Sequence, residues 1–247
     1  MQITKAAFLK TTLIDYPEKV ACTIFLSGCN LRCPFCHNKN LVFEKEKNLL
    51  PIEEIIKYIN KRKNILQGVC ISGGEPLIYK ELPDLVKEIR SAGVKYIKID
   101  TNGILTERLF DANPDYIAMD IKTIPEKYNM LTSDHYDQTI TEKINNSIKE
   151  IMGHNIMYEF RTTLVPGIIE YKDMEKIASI VKGCTKYTLN KFSVKNTLDK
   201  SYSKITPYSE EEYNAFLEIL KKRKIPAFFR GLLDYQAALT YKAQYNL

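Results

Sequence analysis

Three cysteines, Cys29, Cys33 and Cys36, fall within one short loop, Cys29-Asn30-Leu31-Arg32-Cys33-Pro34-Phe35-Cys36-His37-Asn38, directly after an apolar run at residues 20–26. Thiolates this close in sequence can converge on one soft metal centre without help from the rest of the fold. A cubane iron–sulfur cluster has four irons and this loop supplies three thiolates, so one iron would stay open for a substrate. That vacancy separates a catalytic cluster from a plain electron carrier. Two blander arrangements use the same residues: a zinc site completed by His37, or three unrelated thiols. Zinc knots usually draw on two separated ligand pairs, which this loop does not offer.

Four other groups of residues have chemical potential. In Ser72-Gly73-Gly74-Glu75-Pro76 the glycines allow a sharp turn and a close approach to a ligand, and Glu75 can accept hydrogen bonds from an ammonium group. Asp100, in Asp100-Thr101-Asn102-Gly103, and Asp120, in Asp120-Ile121-Lys122, can hold a cation between carboxylates and backbone carbonyls. Lys122 and Arg161 can each pair with a carboxylate, or with these aspartates. Singly they are a turn, strand-end caps and structural ion pairs. Together they suit a zwitterionic amino acid beside an open iron, its amine near Glu75 and its carboxylate near Lys122 and Arg161.

The elements that must position them alternate. Strands are expected at residues 20–26, 68–71, 96–100, 116–121, 156–164 and 186–192, with a last short one at 227–229. Helices are expected at 51–65, 82–92, 106–112, 137–153, 171–182 and 209–224, the last with Ser209 as cap and Glu212 completing a capping box. This order predicts an α/β fold with a parallel sheet, a partial (β/α)6 TIM-like barrel. Chemistry in such sheets gathers at the C-terminal strand ends, and every motif above lies at or near one. The expected organisation is one domain over 1–247. It comprises a strand and turn at 1–19, the barrel at 20–231 and a helical tail at 232–247.

Composition narrows the class. The 247 residues are 45% apolar with no low-complexity tract, enough for a sizeable core. No apolar run approaches ~18 residues, and the start lacks a secretory pattern, so neither a membrane span nor export is expected. Six cysteines, three of them clustered, do not form a disulfide framework, and a reducing cytoplasm is the expected compartment. Cys22, Cys70 and Cys184 are expected as small buried groups, and His135 and His154 at the surface. The net charge of +6 is concentrated at Lys61-Arg62-Lys63 and Lys221-Lys222-Arg223-Lys224, near helix C-termini where the dipole favours cations. No nucleic-acid-binding motif is present.

With these motifs in place, the chain resembles the radical S-adenosylmethionine enzymes, whose hallmark is this three-cysteine loop followed by Gly-Gly-Glu. The likeness runs from Thr12 to about Gly231. It is nearest to the glycyl-radical-activating enzymes, particularly the longer form of the anaerobic ribonucleoside-triphosphate reductase activating protein. Leu13-Ile14-Asp15-Tyr16-Pro17, Cys36-His37-Asn38, Asp100-Thr101-Asn102-Gly103, Asp120-Ile121-Lys122 and Arg161 before Val165-Pro166-Gly167 point there.

The resemblance implies a 4Fe-4S cluster on Cys29, Cys33 and Cys36, with S-adenosylmethionine chelating the open iron. It places Phe35 against adenine and Gly73, Gly74 and Glu75 at the methionine amine. Asn102, Lys122 and Arg161 match cofactor-contacting positions. Asp100, Thr101, Asp120 and the backbone of Ala118 match a monovalent-cation (Na+ or K+) site. Reductive cleavage would give a 5′-deoxyadenosyl radical that takes hydrogen from a glycine of a partner enzyme. A flavodoxin or ferredoxin would be the reductant. The sixth strand, Thr188-Leu189-Asn190-Lys191-Phe192, lacks a histidine found in the pyruvate formate-lyase activator, which argues against that lyase as partner. Two readings compete: a radical enzyme acting on a small molecule, such as the deazaguanine-forming branch, with Glu159, Asn190 and Lys191 as contacts; and a non-catalytic metal-binding module.

Overall fold

The computed structural model describes residues 2–132 and 137–230; the expected helical tail and His135 lie outside them. A single nine-stranded sheet runs through the described chain. Its strands are β1 (Lys5–Thr12), β2 (Ala21–Leu26), β3 (Leu50–Pro51), β4 (Gly68–Gly73), β5 (Tyr96–Thr101), β6 (Tyr116–Asp120), β7 (Met157–Leu164), β8 (Tyr187–Lys191) and β9 (Ala227–Arg230). The spatial order is β3-β1-β2-β4-β5-β6-β7-β8-β9. From β2 to β9 every neighbouring pair is parallel, whereas β1 is antiparallel to both β2 and β3. The outermost strands, β3 and β9, leave the barrel open.

The helices are α1 (Lys39–Val42), α2 (Ile52–Arg62), α3 (Leu82–Ser91), α4 (Ile140–Gly153), α5 (Tyr171–Ile180) and α6 (Glu210–Lys222). Six β-then-crossover units follow one another from β2 to β9, as the partial (β/α)6 barrel requires. One crossover departs from expectation. Residues 106–112 form two short 3-10 turns instead of a helix, ended by left-handed Asn113 at φ 48° and by Pro114 behind it. Basic residues occupy the last turns of α2 and α6 as expected. The Ser209–Glu212 capping box is formed, with Ser209 N donating to Glu212 Oε2 at 2.7 Å and Glu212 N to Ser209 Oγ at 3.3 Å. A second box, Glu170 with Asp173, opens α5. It was missed because a glutamate is not among the preferred N-caps.

Alternation along the strands sorts side chains into two sets. Ile24, Leu26, Val69, Ile71, Ile97, Ile99, Ile117, Met119 and Phe160 join the large core beneath the helices. The inward set is polar at its centre: Cys70 and Ser72 on β4, Lys98 and Asp100 on β5, Asp120 on β6, Glu159 and Arg161 on β7. Below it, Tyr16, Ala21, Tyr116 and Ala118 form a small separate apolar cluster with Tyr96 that closes the N-terminal end of the barrel.

Candidate active site

The cysteine loop leaves the C-terminal end of β2 and is held from several directions. Gly28 N donates to Leu41 O at 2.7 Å, Arg32 N to Leu131 O at 2.6 Å, and Asp199 N to Pro34 O at 2.9 Å. Asn38 Nδ2 donates to Gly73 O at 3.0 Å, Asn102 Nδ2 donates to Asn30 Oδ1 at 2.7 Å, and His37 Nδ1 lies 2.7 Å from Lys195 O. Held in this way, Cys29, Cys33 and Cys36 are free thiols around one cleft of about 290 Å³. Burial, reinforced by the Glu75 charge, pushes the Cys29 thiol up to about 11. Burial pushes Cys33 up to about 12 against the opposing pull of Lys122.

A bound metal centre overcomes such shifts by coordinating the thiolate. Among the described residues no three His, Cys, Asp or Glu side chains close on a single-ion position. Three free thiols lining one cleft fit a polynuclear cluster with one corner per thiolate. Phe35, only 5% exposed, lines the same cleft beside them.

The chain's own backbone already requires the glycine pair. Gly73 has φ +120°, and a Cβ there would lie 2.3 Å from Leu26 O. A Cβ on Gly74 would lie 1.8 Å from Gly28 O. Gly74 N donates to Leu26 O and Glu75 N to Gly28 O, each at 2.9 Å, so the motif is laid directly against the start of the cysteine loop. Both glycines still line the cleft, but Glu75 does not.

This corrects the expected position of Glu75. Its side chain is fully buried and accepts from Leu77 N at 3.2 Å, Thr101 Oγ1 at 2.8 Å and Asn102 N at 2.7 Å. It ties two strand-end loops together instead of facing an amine. Burial pushes Glu75 up to about 7, resisted by its three hydrogen bonds, Asn102 N first among them.

A raised carboxyl makes its stability contribution in full below about 4.5 and loses it as pH rises through about 7. Glu75→Gln removes that titration but sets an amide donor against backbone donors. We expect the variant to be less stable by about 1–3 kcal/mol at pH 5, with the gap narrowing as pH rises toward 7 and levelling off above it. Urea unfolding of both proteins across this range checks it. A gap that widens with pH would contradict the assignment.

Asp100, Thr101, Asn102, Asp120 and Lys122 line the cleft; Arg161 and Ala118 do not. Arg161 lies behind the aspartates, its Nε 2.6 Å from Asp120 Oδ1 and its guanidinium 3.4 Å from Asp100 Oδ2. Lys122 Nζ donates to Asp120 Oδ2 at 2.9 Å. Burial acts upward on Asp120, but the charges of Arg161 and Lys122 outweigh it and hold the carboxyl well below its usual range. Burial acts downward on Lys122, but the charge of Asp120 outweighs it and raises the ammonium's pKa well above its ordinary value. An ammonium so placed faces the cysteines and can meet a carboxylate in the cleft. Arg161, expected to share that role, is already spent on the two aspartates.

The expected cation cage is not assembled. Both oxygens of Asp100 and of Asp120 have cationic partners: Lys98 and Arg161 at Asp100, Arg161 and Lys122 at Asp120. The Thr101 hydroxyl donates to Glu75 and accepts from Gly103 N. Ala118 is paired between Asp100 on β5 and Glu159 on β7.

Sequence reasoning passed over Lys98, Ser72, Asn30 and Thr163, and it treated Cys70 as inert although Lys98 Nζ lies 3.7 Å from its sulfur. The signal was present as charged residues two apart within strands, Lys98 with Asp100 and Glu159 with Arg161. That period puts both members on one face.

Residues 23–181 match the model of the radical SAM superfamily, and the chain belongs to that superfamily. It is 32% identical over 231 residues to a protein of Methanocaldococcus jannaschii provisionally assigned as a glycyl-radical enzyme activating enzyme, covering 90% of this chain and 93% of that one. A provisionally assigned GTP 3′,8-cyclase of Methanococcus maripaludis is 29% identical over 164 residues, 62% of this chain and 54% of that one. Among solved structures, a domain of the pyruvate-formate lyase-activating enzyme of Bacteroides vulgatus shares the fold. It has a TM-score of 0.52 and 20% identity, over 66% of this chain and 99% of that one. The protein is therefore a radical SAM enzyme and a homologue of the activating enzymes.

Proposed function

We propose that the protein activates a glycyl radical enzyme, with anaerobic ribonucleoside-triphosphate reductase as its partner and a flavodoxin or ferredoxin as reductant, in the cytoplasm. Among the described residues no helix is long and apolar enough to cross a membrane. A 4Fe-4S cluster bound here would supply the electron for reductive cleavage of S-adenosylmethionine, the chemistry needed to remove a hydrogen from a glycine α-carbon. Cys29, Cys33 and Cys36 would hold that cluster. Lys122 orients the methionine carboxylate, Phe35 lies against the adenine, and the Gly73–Gly74 backbone offers carbonyls to the amine. Asn102 steadies the loop through Asn30, and Arg161 keeps Asp100 and Asp120 in place.

The observation that carries this reading is the end-to-end likeness to a protein assigned as an activating enzyme, covering nine-tenths of both chains. The barrel interior favours it over a small-molecule substrate. Glu159, the best-placed polar contact for such a substrate, is fully buried and engaged by Thr188 at 2.9 Å, Arg230 at 3.1 Å and Lys186 at 3.5 Å.

The test is anaerobic. Reconstituted protein, dithionite, S-adenosylmethionine and the reductase of the same organism should give a glycyl-radical doublet in electron paramagnetic resonance together with 5′-deoxyadenosine. Both should disappear in Cys33→Ala. Formation of 5′-deoxyadenosine without the doublet would move the substrate elsewhere.

A further inference from the structure

Among the described residues, one fully buried charge has no part in the preceding roles. The Lys98 side chain is fully buried, directly beneath the floor of the cleft. Its ammonium contacts two groups, Asp100 Oδ1 and the Cys70 sulfur at 3.7 Å. Lys98 and Asp100 are two residues apart on β5 and point to the same side. The lysine therefore supports the aspartate from one layer below, with Cys70 of β4 and Tyr116 of β6 as its register neighbours.

We propose that Lys98 is a built-in counter-ion: with Arg161, it brings to the Asp100–Asp120 pair the positive charge that a free monovalent cation would otherwise supply. In this role it is a positioning residue. It holds Asp100 so that Arg161 can bridge both aspartates and leave Lys122 turned toward the cleft. The disagreement between the expected cation cage and the observed contacts supports this. Each of the four carboxylate oxygens has a cationic partner, and Ser72 Oγ adds a neutral donor to Asp100 at 3.0 Å.

A sodium or potassium ion placed there would sit against Lys98, Arg161 and Lys122 and find no free carboxylate oxygen. The hydroxyl and carbonyl that would complete its shell are turned to Glu75 and to the strand ladder. A tethered ammonium differs from a free ion in one measurable way: its occupancy does not follow the concentration of any salt.

The consequence for S-adenosylmethionine rests on the function proposed above, so the test reads stability and binding rather than turnover. Full-length, cluster-reconstituted protein is compared at fixed ionic strength in sodium, potassium and tetramethylammonium chloride, the last too large for the site. For the wild type we expect thermal midpoints that agree within about 1 °C across the three salts. Anaerobic calorimetric titration should give equal affinities for S-adenosylmethionine.

Lys98→Met keeps the length of the side chain and removes the charge. It should lower the midpoint and weaken binding about tenfold in tetramethylammonium, with recovery in sodium or potassium as the small ion enters the vacated position. A wild type stabilised specifically by sodium or potassium would overturn the proposal, and so would a Lys98→Met protein indistinguishable from wild type in tetramethylammonium. If the variant does not fold, the wild-type salt comparison still decides. Neither readout needs a glycine substrate, so failure here is separable from failure of the activating function.

Discussion

Gly74→Ala should destabilise the protein by at least about 3 kcal/mol and abolish iron uptake, the largest stability effect expected of any single methyl group here. The added carbon would lie 1.8 Å from Gly28 O, 2.7 Å from Gly28 C and 3.3 Å from Cys29 Cβ. The first two are backbone atoms, which cannot rotate away. Relief therefore requires moving the strand end or the cysteine loop, and it breaks the 2.9 Å bond from Glu75 N to Gly28 O. Cys29 follows Gly28 directly, so a shift large enough to admit the methyl displaces the first thiolate. Gly153→Ala is the control, because a carbon there meets nothing within 4 Å. Urea unfolding and iron content would be compared for the two. Similar behaviour in both would refute the close approach.

The second large effect is expected at Arg161, where Met should cost about 3–5 kcal/mol near neutral pH. Among the described residues the guanidinium is the one group joining Asp100 to Asp120. Its removal leaves two half-buried carboxylates with one ammonium each and a gap between like charges. The loss should depend on pH in a definite direction. Arg161 depresses Asp120 in the folded state, so the stabilisation is present above the ordinary aspartate range and is lost as pH falls through the lowered value. The difference between wild type and variant should therefore shrink below pH ~4, where the variant's carboxylates protonate first. Chemical denaturation from pH 3 to 8 checks this, and a difference that grows on acidification would exclude it.

Much of the architecture was legible because continuous apolar strands and capped amphipathic helices carry local signals. Val69 to Ile71, followed by Gly73-Gly74, shows a buried strand and its end without knowledge of any neighbour. The cysteine spacing is equally local. What escaped was the destination of side chains that meet across strands. Glu75 looks free in the sequence; its three donors come from Leu77, Thr101 and Asn102, two of them from another strand end. Arg161 and the aspartates are identified as a charged set, but only the register of β5, β6 and β7 shows that they satisfy one another. Lys98 was lost among other lysines: its spacing from Asp100 puts the two on one face, but nothing local shows that this face points into the barrel and leaves the lysine no exposed surface.

The contacts that hold the cysteine loop also make it a crossbeam. Asn38 rests on β4 through Gly73, while His37 and Pro34 rest on the segment after β8 through Lys195 and Asp199. The beam spans strands that are not neighbours in the sheet, across the mouth of an open barrel. Force applied to residues 195–199 from outside is delivered to Cys36 within one residue of His37. The position of the cysteine loop over the cleft is therefore set jointly by β4 and by residues 195–199, although the two lie far apart in the chain.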